Sequence, residues 1–454
     1  MTKSLPPKGT CSIISLGCPK NLVDGERMLG LLRLGGYQLV PEPEGADFVI
    51  VNTCGFLEIA RHESLQTIRE MLDLKQRGLV KGVIVAGCLA ERDKLGLLEQ
   101  CPGIDQVVGV FGREEIVQVA GRLSTAEPTE RGVFRPVASK ALPDGDRVRI
   151  TLPHLAFLKI AEGCDRLCTF CSIPNMRGRY VSKPVEQVVE EAEQLAADGV
   201  RELILVAQDT SFYGIDLSGR PQLAELLARL ERVGDLEWIR VMYLYPMHLT
   251  DELIDVVQSS RKILRYFDLP LQHINDKILR RMNRQVTRAE TEHLLDRLRQ
   301  RIPGIVLRTT LITGFPGETD QQFDELLHFV GERHFERLGV FSYSLEEDTP
   351  SARLPDRVPT EVADDRRRRL LAVQQGIAFE WNQSQVGREL EVIIDRCIDG
   401  QSNAFVGRSY ADAPEVDGVV FVTGDDLKPG QIVPCEVVAA RDYDLIAAAV
   451  GTSR

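Results

Sequence analysis

The sequence predicts an α/β protein in three parts: a parallel α/β unit, an open barrel of six β/α units, and a small all-β barrel at the C-terminal end. Three observations predict this. Short apolar runs ending at Cys18, Cys54 and Cys88 each lead into a helical pattern, the β-α repeat of a parallel sheet. From Pro153 to about Ser344, strand-like and helix-like segments alternate through six units, too few for the eight of a closed barrel. After Gln383 the helical period disappears, and short apolar runs alternate with turn signals, the pattern of an all-β barrel.

In the first unit, 1–125, the runs Cys11–Cys18, Phe48–Cys54 and Gly82–Cys88 read as strands, and Leu22–Leu34 and Ile59–Gln76 as helices. Carboxyl ends of parallel strands share one edge, where open α/β sheets place their ligands. Cys18, Cys54 and Cys88 are therefore expected to converge there. A single cysteine after a strand is ordinarily a core residue, but three at equivalent positions point to a three-thiolate site. The stretch Ser124–Asp146 is rich in Pro, Gly, Thr and charge and reads as a linker.

In the second unit, 150–382, the expected strands are Ala156–Ala161, Glu202–Ala207, Trp238–Leu244, Tyr266–Leu269, Val306–Ile312 and Leu338–Ser344. Helical patterns cover Glu186–Ala197, Gln222–Arg232, Lys277–Arg301 and Gln321–Glu332, and a last helix, Thr360–Asn382, leads out. The run Arg366–Arg369 reads as a solvated helix face. In the third unit, 383–454, strands are expected at Leu390–Ile394, Val419–Val422, Ile432–Val438 and Asp444–Val450, with turns at Asp399-Gly400, Asp417-Gly418 and Pro429-Gly430. This unit holds 12 acidic and 6 basic residues, half of the net charge of −12. Glu389, Glu391, Asp412, Glu415, Asp417, Asp425 and Asp426 are expected to form an exposed acidic surface.

The chemistry is carried by Cys164-Asp-Arg-Leu-Cys168-Thr-Phe-Cys171, three thiols directly after a strand. Thiolates are the ligands of iron–sulfur clusters. Structural zinc takes four ligands, usually in paired C-x2-C units, and no fourth Cys or His lies nearby. Three ligands on a cubane leave one iron open, which marks a catalytic site. Cys11 and Cys435 lie in apolar runs and read as core; Cys101 and Cys397 are assigned no chemistry. The N-terminal segment has no apolar signal core and no run approaches a membrane span, so a cytoplasmic chain is expected. There, ten cysteines favour metal or redox chemistry over disulfides. The acidic balance excludes a general nucleic-acid binder.

The residues then show a specific resemblance. Ser-Leu-Gly-Cys18-Pro19-Lys20-Asn21, Asn52-Thr53-Cys54-Gly55-Phe56 and Ala86-Gly87-Cys88 resemble the three N-terminal signatures of methylthiotransferases. Glu162-Gly163-Cys164 through Cys171, continuing to Ile173–Gly178, resembles the radical S-adenosylmethionine (SAM) loop. Leu269-Pro270-Leu271-Gln272-His273 and Thr313–Thr319 extend the match, and the last unit is similar to a TRAM domain. Gly-Cys-Pro-Lys-Asn and Gln208–Gly214 resemble the branch that modifies ribosomal protein S12. The tRNA-modifying branch usually has Gln-Met-Asn after the first cysteine and a basic TRAM domain.

The resemblance implies insertion of a methylthio group at the β-carbon of an aspartate in S12. Two 4Fe–4S clusters and SAM are implied. The cluster on Cys164, Cys168 and Cys171 would cleave one SAM to a 5′-deoxyadenosyl radical; the cluster on Cys18, Cys54 and Cys88 would hold a sulfur that a second SAM methylates. Radical chemistry suits this carbon, because a carbanion beside a carboxylate is too unfavourable for a general base. By the same resemblance Gln208, Asp209 and Thr210 contact the SAM amino group, Gly314 and Gly317 lie near its adenine, and His273 sits in the core or behind the site. The implied partners are S12 and a low-potential electron donor such as flavodoxin or ferredoxin, with no membrane and no stable nucleic-acid binding. The alternative is a tRNA adenosine methylthiotransferase with the same mechanism.

Overall fold

A computed structural model describes residues 7–123 and 131–451; Ser124–Glu130 of the expected linker lie outside the described residues. The first sheet is wholly parallel, in the order Gln38–Leu39, Thr10–Ser15, Phe48–Thr53, Gly82–Gly87, Gln106–Val108, Gly132–Val133. Phe48–Thr53 and Gly82–Gly87 are buried throughout, as continuous apolar runs covered on both faces should be. The first helix is Pro19–Leu34, three residues longer at its start than the apolar period suggested. Pro19 suits the first helical position, where no N–H is needed. The described part of the expected linker is not loose. Val133 pairs beside Val108, and buried Asp144 binds Arg113 at 2.7 Å and Lys183 at 2.8 Å.

Six parallel strands form the second sheet, neighbours in chain order: Leu155–Lys159, Glu202–Val206, Trp238–Val241, Ile263–Asp268, Val306–Thr313 and Arg337–Ser342. The sheet does not close, as the open (β/α)6 expectation requires. The single helix expected over Lys277–Arg301 is two, Asp276–Arg281 and Arg288–Arg301. Asn283 takes a left-handed conformation after the first (φ +55), and Thr287 opens the second with a capping box to Glu290, so local hydrogen bonds override a continuous propensity. Helix Asp251–Ser259, capped by Thr250, was not anticipated. Arg366 corrects the solvated-face reading: it is 4 % exposed and binds Glu318 at 2.9 Å and Asp320 at 2.7 Å.

The last part is a closed five-stranded barrel of Glu389–Cys397, Ala404–Ser409, Val420–Thr423, Ile432–Arg441 and Asp444–Ala449; the strand Ala404–Ser409 was missed by the apolar-run reading. Neighbouring elements reach into the lumen of the open sheet. Around Phe157, Ile204, Trp238 and Tyr266 lie Leu22 and Val23 of the first helix, and Ala411 and Ala413 of the C-terminal barrel. Two acids expected at the surface are anchors instead. Asp412 binds Arg337 at 2.7 Å, and Asp417 accepts the Tyr266 hydroxyl at 2.7 Å. Glu389, Glu391, Glu415, Asp425 and Asp426 are exposed, as expected. Cys11 and Cys435 are fully buried in apolar clusters.

A buried ion cluster holds this barrel in place. Glu202 accepts Arg240 at 2.9 Å and Arg408 at 2.6 Å, and Arg408 continues to Asp395 at 2.7 Å. Burial pushes the Glu202 carboxyl up, but Arg408 and Arg240 together outweigh it and hold it below the ordinary range. Asp395 is likewise depressed: burial raises it, and His154 and Arg408 outweigh that. Carboxyls with depressed native values contribute stability above their unfolded values and lose it as pH falls through the native ones. The wild type should therefore lose stability on acidification below about pH 4. Glu202→Gln should cost about 3 kcal/mol at neutral pH, because two buried guanidinium groups lose a partner, and should flatten that acid slope. Urea unfolding as a function of pH checks both; an unchanged midpoint in Glu202→Gln would contradict them.

Candidate active site

The ends of three neighbouring strands bring the first set of thiols together. Ser15 pairs with Asn52, and Thr53 with Gly87, so Cys54 and Cys88 follow directly paired residues. Cys18 is brought back over the edge by Gly17. A Cβ on Gly17 would lie 2.7 Å from the Cβ of Cys54, so no larger residue fits. Gly87, at φ +94, faces Asn52 and Thr53 in the same way, with a Cβ position 2.6 Å from each, and starts the helix Cys88–Asp93. Asn21 and Asn52 tie the edge together: Asn21 donates to the Leu16 carbonyl at 2.8 Å, and Asn52 donates to the Asn21 carbonyl at 2.7 Å. Cys54 N–H donates to Ser64 Oγ at 3.0 Å.

The second set lies in the loop after Leu155–Lys159. Cys164 N–H donates to the Gly178 carbonyl at 3.1 Å, and Cys171 N–H to the Cys168 carbonyl at 3.1 Å. Cys164 Sγ accepts Arg166 N–H at 3.4 Å, and Cys168 Sγ accepts Arg284 at 3.8 Å. The break between the two helices at Asn283 is what delivers Arg284. Thr169 N–H donates to the Met282 carbonyl at 3.0 Å, and Phe170 packs edge-on against Phe315, so the loop is held by the helix Asp276–Arg281 and by the turn after Val306–Thr313.

One side chain runs from the first set to the strand end that leads into the second. Arg177, 1 % exposed, donates from Nε and Nη2 to Cys88 Sγ, each at 3.2 Å, and from Nη1 to Glu162 at 3.1 Å. Its Nη1 also binds Asp24 Oδ2 at 2.8 Å. Glu162 lies two residues before Cys164 and also receives Lys159 at 2.9 Å. Burial raises the Glu162 carboxyl, but Lys159 and Arg177 outweigh it and hold it at about 2. Arg177 lies within the Ile173–Gly178 stretch that resembles the radical SAM loop, but nothing in that stretch gave the arginine itself a role.

The electrostatics of the thiols differ. Burial raises Cys88 to about 12 and also raises Cys54. Cys18 is lowered: burial opposes ionisation, but Lys20, Arg177 and the N–H groups of Asn21 and Lys20 outweigh it. In the loop, burial pushes Cys164 up to about 12 and raises Cys171 as well. Buried thiols of this kind become ligands when metal charge replaces the proton. Among the described residues, no group of three or more His, Cys, Asp or Glu is gathered for a single metal ion. A cluster needs no such gathering, since thiolates bind different irons of a larger body. All-sulfur donors with N–H and guanidinium groups aimed at the sulfur suit an iron–sulfur cluster at both sets.

The other sequence-derived candidates are placed as follows. Gln208 follows the strand Glu202–Val206, donates weakly to Glu162 at 3.5 Å, and keeps its buried Oε1 without a hydrogen-bond partner. Asp209 is committed to Arg166 at 2.8 Å and to Ser211 at 2.6 Å; Thr210 Oγ1 donates to the Met242 carbonyl at 2.6 Å. Gly314 abuts Ala363, and Gly317 abuts the guanidinium of Arg281, so both have a packing reason to be small. His273 is buried, with Nε2 3.2 Å from Glu318 and Nδ1 accepting the Asn275 N–H at 2.9 Å.

Comparison with known proteins agrees with this layout. Residues 158–330 match the radical SAM superfamily, 10–109 the family described as uncharacterized protein family UPF0004, and 386–450 the TRAM domain. A protein of Lachnoclostridium phytofermentans named ribosomal protein uS12 methylthiotransferase RimO is 47 % identical over 437 residues, covering 96 % of this chain and 99 % of its own. A protein of the same name from Caldanaerobacter subterraneus is 44 % identical, covering 96 % and 98 %. Among solved structures, the radical SAM methyltransferase TsrM of Kitasatospora setae, with cobalamin and an iron–sulfur cluster bound, superposes with a TM-score of 0.55 at 17 % identity, covering 75 % of this chain and 73 % of its own. That likeness is one of fold.

Proposed function

The chain belongs to the RimO family of ribosomal protein uS12 methylthiotransferases, radical SAM enzymes that use 4Fe–4S clusters and SAM, and from this we propose that it replaces a β-carbon hydrogen of an aspartate in uS12 by a methylthio group, consuming two SAM molecules. The observation that carries the reading is the pair of three-thiol sets, with Arg177 running from Cys88 Sγ to Glu162, two residues before Cys164. When bound, the clusters supply one-electron reduction of SAM and an open iron for sulfur.

In this proposal Cys164, Cys168 and Cys171 hold the SAM-cleaving cluster, and Cys18, Cys54 and Cys88 the auxiliary one. Gln208 Oε1, a buried acceptor without a partner, takes the SAM ammonium. Asp209 fixes Arg166 and Thr210 fixes the strand end, while Gly314 and Gly317 offer only backbone to the adenine. The segments 1–125, 150–382 and 383–454 then serve as sulfur-holding, radical-generating and substrate-docking units. Exposed Glu389, Glu391, Glu415, Asp425 and Asp426 suit a basic ribosomal protein and repel a phosphate backbone. A low-potential donor such as flavodoxin or ferredoxin completes the system in the cytoplasm. Among the described residues no helix is long and apolar enough to cross a membrane.

Anaerobically reconstituted protein with SAM and reductant, incubated separately with uS12 and with tRNA, should add a methylthio group to an aspartate of uS12 and leave tRNA unchanged by mass spectrometry. Modified tRNA with unmodified uS12 would replace this reading by the tRNA one.

A further inference from the structure

We propose that Lys20 is the cation that receives the carboxylate of the substrate aspartate, in a subsite between the first helix and the carboxyl edge of the open barrel. This deepens the function proposed above and rests on it. Lys20 is only 7 % exposed. Among the described residues its ammonium has no carboxylate within salt-bridge distance and no hydrogen-bond acceptor; its partner is the ring of Tyr243, with Nζ 3.4 Å from the centroid. Most comparably buried cations differ: Lys159, Arg177, Lys183, Arg240, Arg366 and Arg408 each bind a carboxylate, and Arg284 donates to the Pro270 carbonyl and to Cys168 Sγ. A buried ammonium is costly unless an anion meets it, and an aromatic face compensates only in part.

The negative groups whose field reaches Lys20 are Cys18 first, then Asp268 and Glu162; Cys18 is assigned to the auxiliary cluster, and both carboxylates are already committed. Asp268 accepts Arg308 at 2.7 Å through Oδ1 and the Tyr243 N–H at 3.1 Å through Oδ2. Glu162 is taken by Lys159 and Arg177. The setting adds to the attraction for an anion. Lys20 is the second residue of the 16-residue helix Pro19–Leu34, whose first turn has no side-chain cap, so it belongs to the turn where the positive end of the helix dipole lies.

Tyr243 is held in place at a cost. It has φ +60, an arrangement that persists only where its surroundings enforce it. Its N–H is bound by Asp268, and its carbonyl accepts the Thr210 N–H at 2.9 Å. The ammonium therefore sits between Cys18, two residues away, and the strand end that carries Gln208 and Thr210. A carboxylate bound there places its adjoining carbon near Cys18, at the carboxyl edge of the open barrel. An asparagine amide in the same place would leave the ammonium unneutralised, so the subsite selects aspartate.

The test uses cluster-loaded full-length enzyme and labelled uS12 in two forms, one with the modified aspartate and one with asparagine there, measuring affinity by fluorescence anisotropy. The wild type should bind the aspartate form about tenfold more tightly. Lys20→Met should lose that preference by weakening only the aspartate form, and Lys20→Arg should keep it. Should Lys20→Met fail to load its clusters, Lys20→Gln carries the same comparison. A preference that survives loss of the ammonium, or an equal loss for both forms with a shifted auxiliary-cluster potential, would overturn the proposal and make Lys20 a counter-charge to the cluster. Wild type that modifies no uS12 would instead overturn the parent reading, and this one with it.

Discussion

Cys168→Ala should abolish both 5′-deoxyadenosine formation and methylthiolation, whereas Cys54→Ala or Cys88→Ala should abolish methylthiolation and retain measurable 5′-deoxyadenosine formation. The two sets of thiols sit on different sheets, one at the edge of the first sheet and one in the loop after Leu155–Lys159. Each set has its own supporting hydrogen bonds, so losing one sulfur should empty one site and spare the other. Iron content supplies the control. The wild type should hold about eight irons per chain and each single variant about half of that. Loss of SAM cleavage in Cys54→Ala protein that still holds its other cluster would reverse the assignment of roles. Four irons in the wild type, or tightly held zinc, would remove the two-cluster reading.

Arg177→Met should destabilise even the cluster-free protein, by about 4 kcal/mol, because Asp24 and Glu162 would share a buried site with a partner missing. Lys159 and Arg113 still reach Asp24, so the fold should survive with a lowered urea midpoint. A second effect is independent of stability. Two donors to Cys88 Sγ are lost, and hydrogen bonds to cluster sulfur raise the potential. The auxiliary cluster of Arg177→Met should therefore be harder to reduce, by redox titration followed with paramagnetic resonance, while the cluster in the other loop changes little. Arg177→Lys should recover most of the stability but not the paired donation, since an ammonium lacks the planar fork. An unchanged urea midpoint and potential in Arg177→Met would show that the guanidinium plays neither part.

Much of the fold was legible because it is written in local periodicity. Apolar runs followed by helical patterns located both parallel sheets, and the convergence of Cys18, Cys54 and Cys88 followed from the shared edge of parallel strands alone. The failures have a common cause. Asp412, Asp417 and Arg366 read as surface charge because burial of an ion depends on a partner that arrives from another element: Arg337, Tyr266 and Glu318 respectively. The break inside Lys277–Arg301 was hidden because capping bonds at Thr287 and the left-handed Asn283 outweigh a helical propensity that runs through both.

The sequence by itself determined the chemical type of this protein, since thiol spacing and the strand-to-helix rhythm are properties of short segments. Tertiary structure alone decided which side chains the thiols meet. Arg177 reaches Cys88 across 89 residues and Asn21 across 156, and Lys20 meets Tyr243 from a different sheet. Neither pairing leaves a trace in composition or period, because it depends on where two folded units come to rest against each other, and a charged side chain acquires its role only when that packing removes its water.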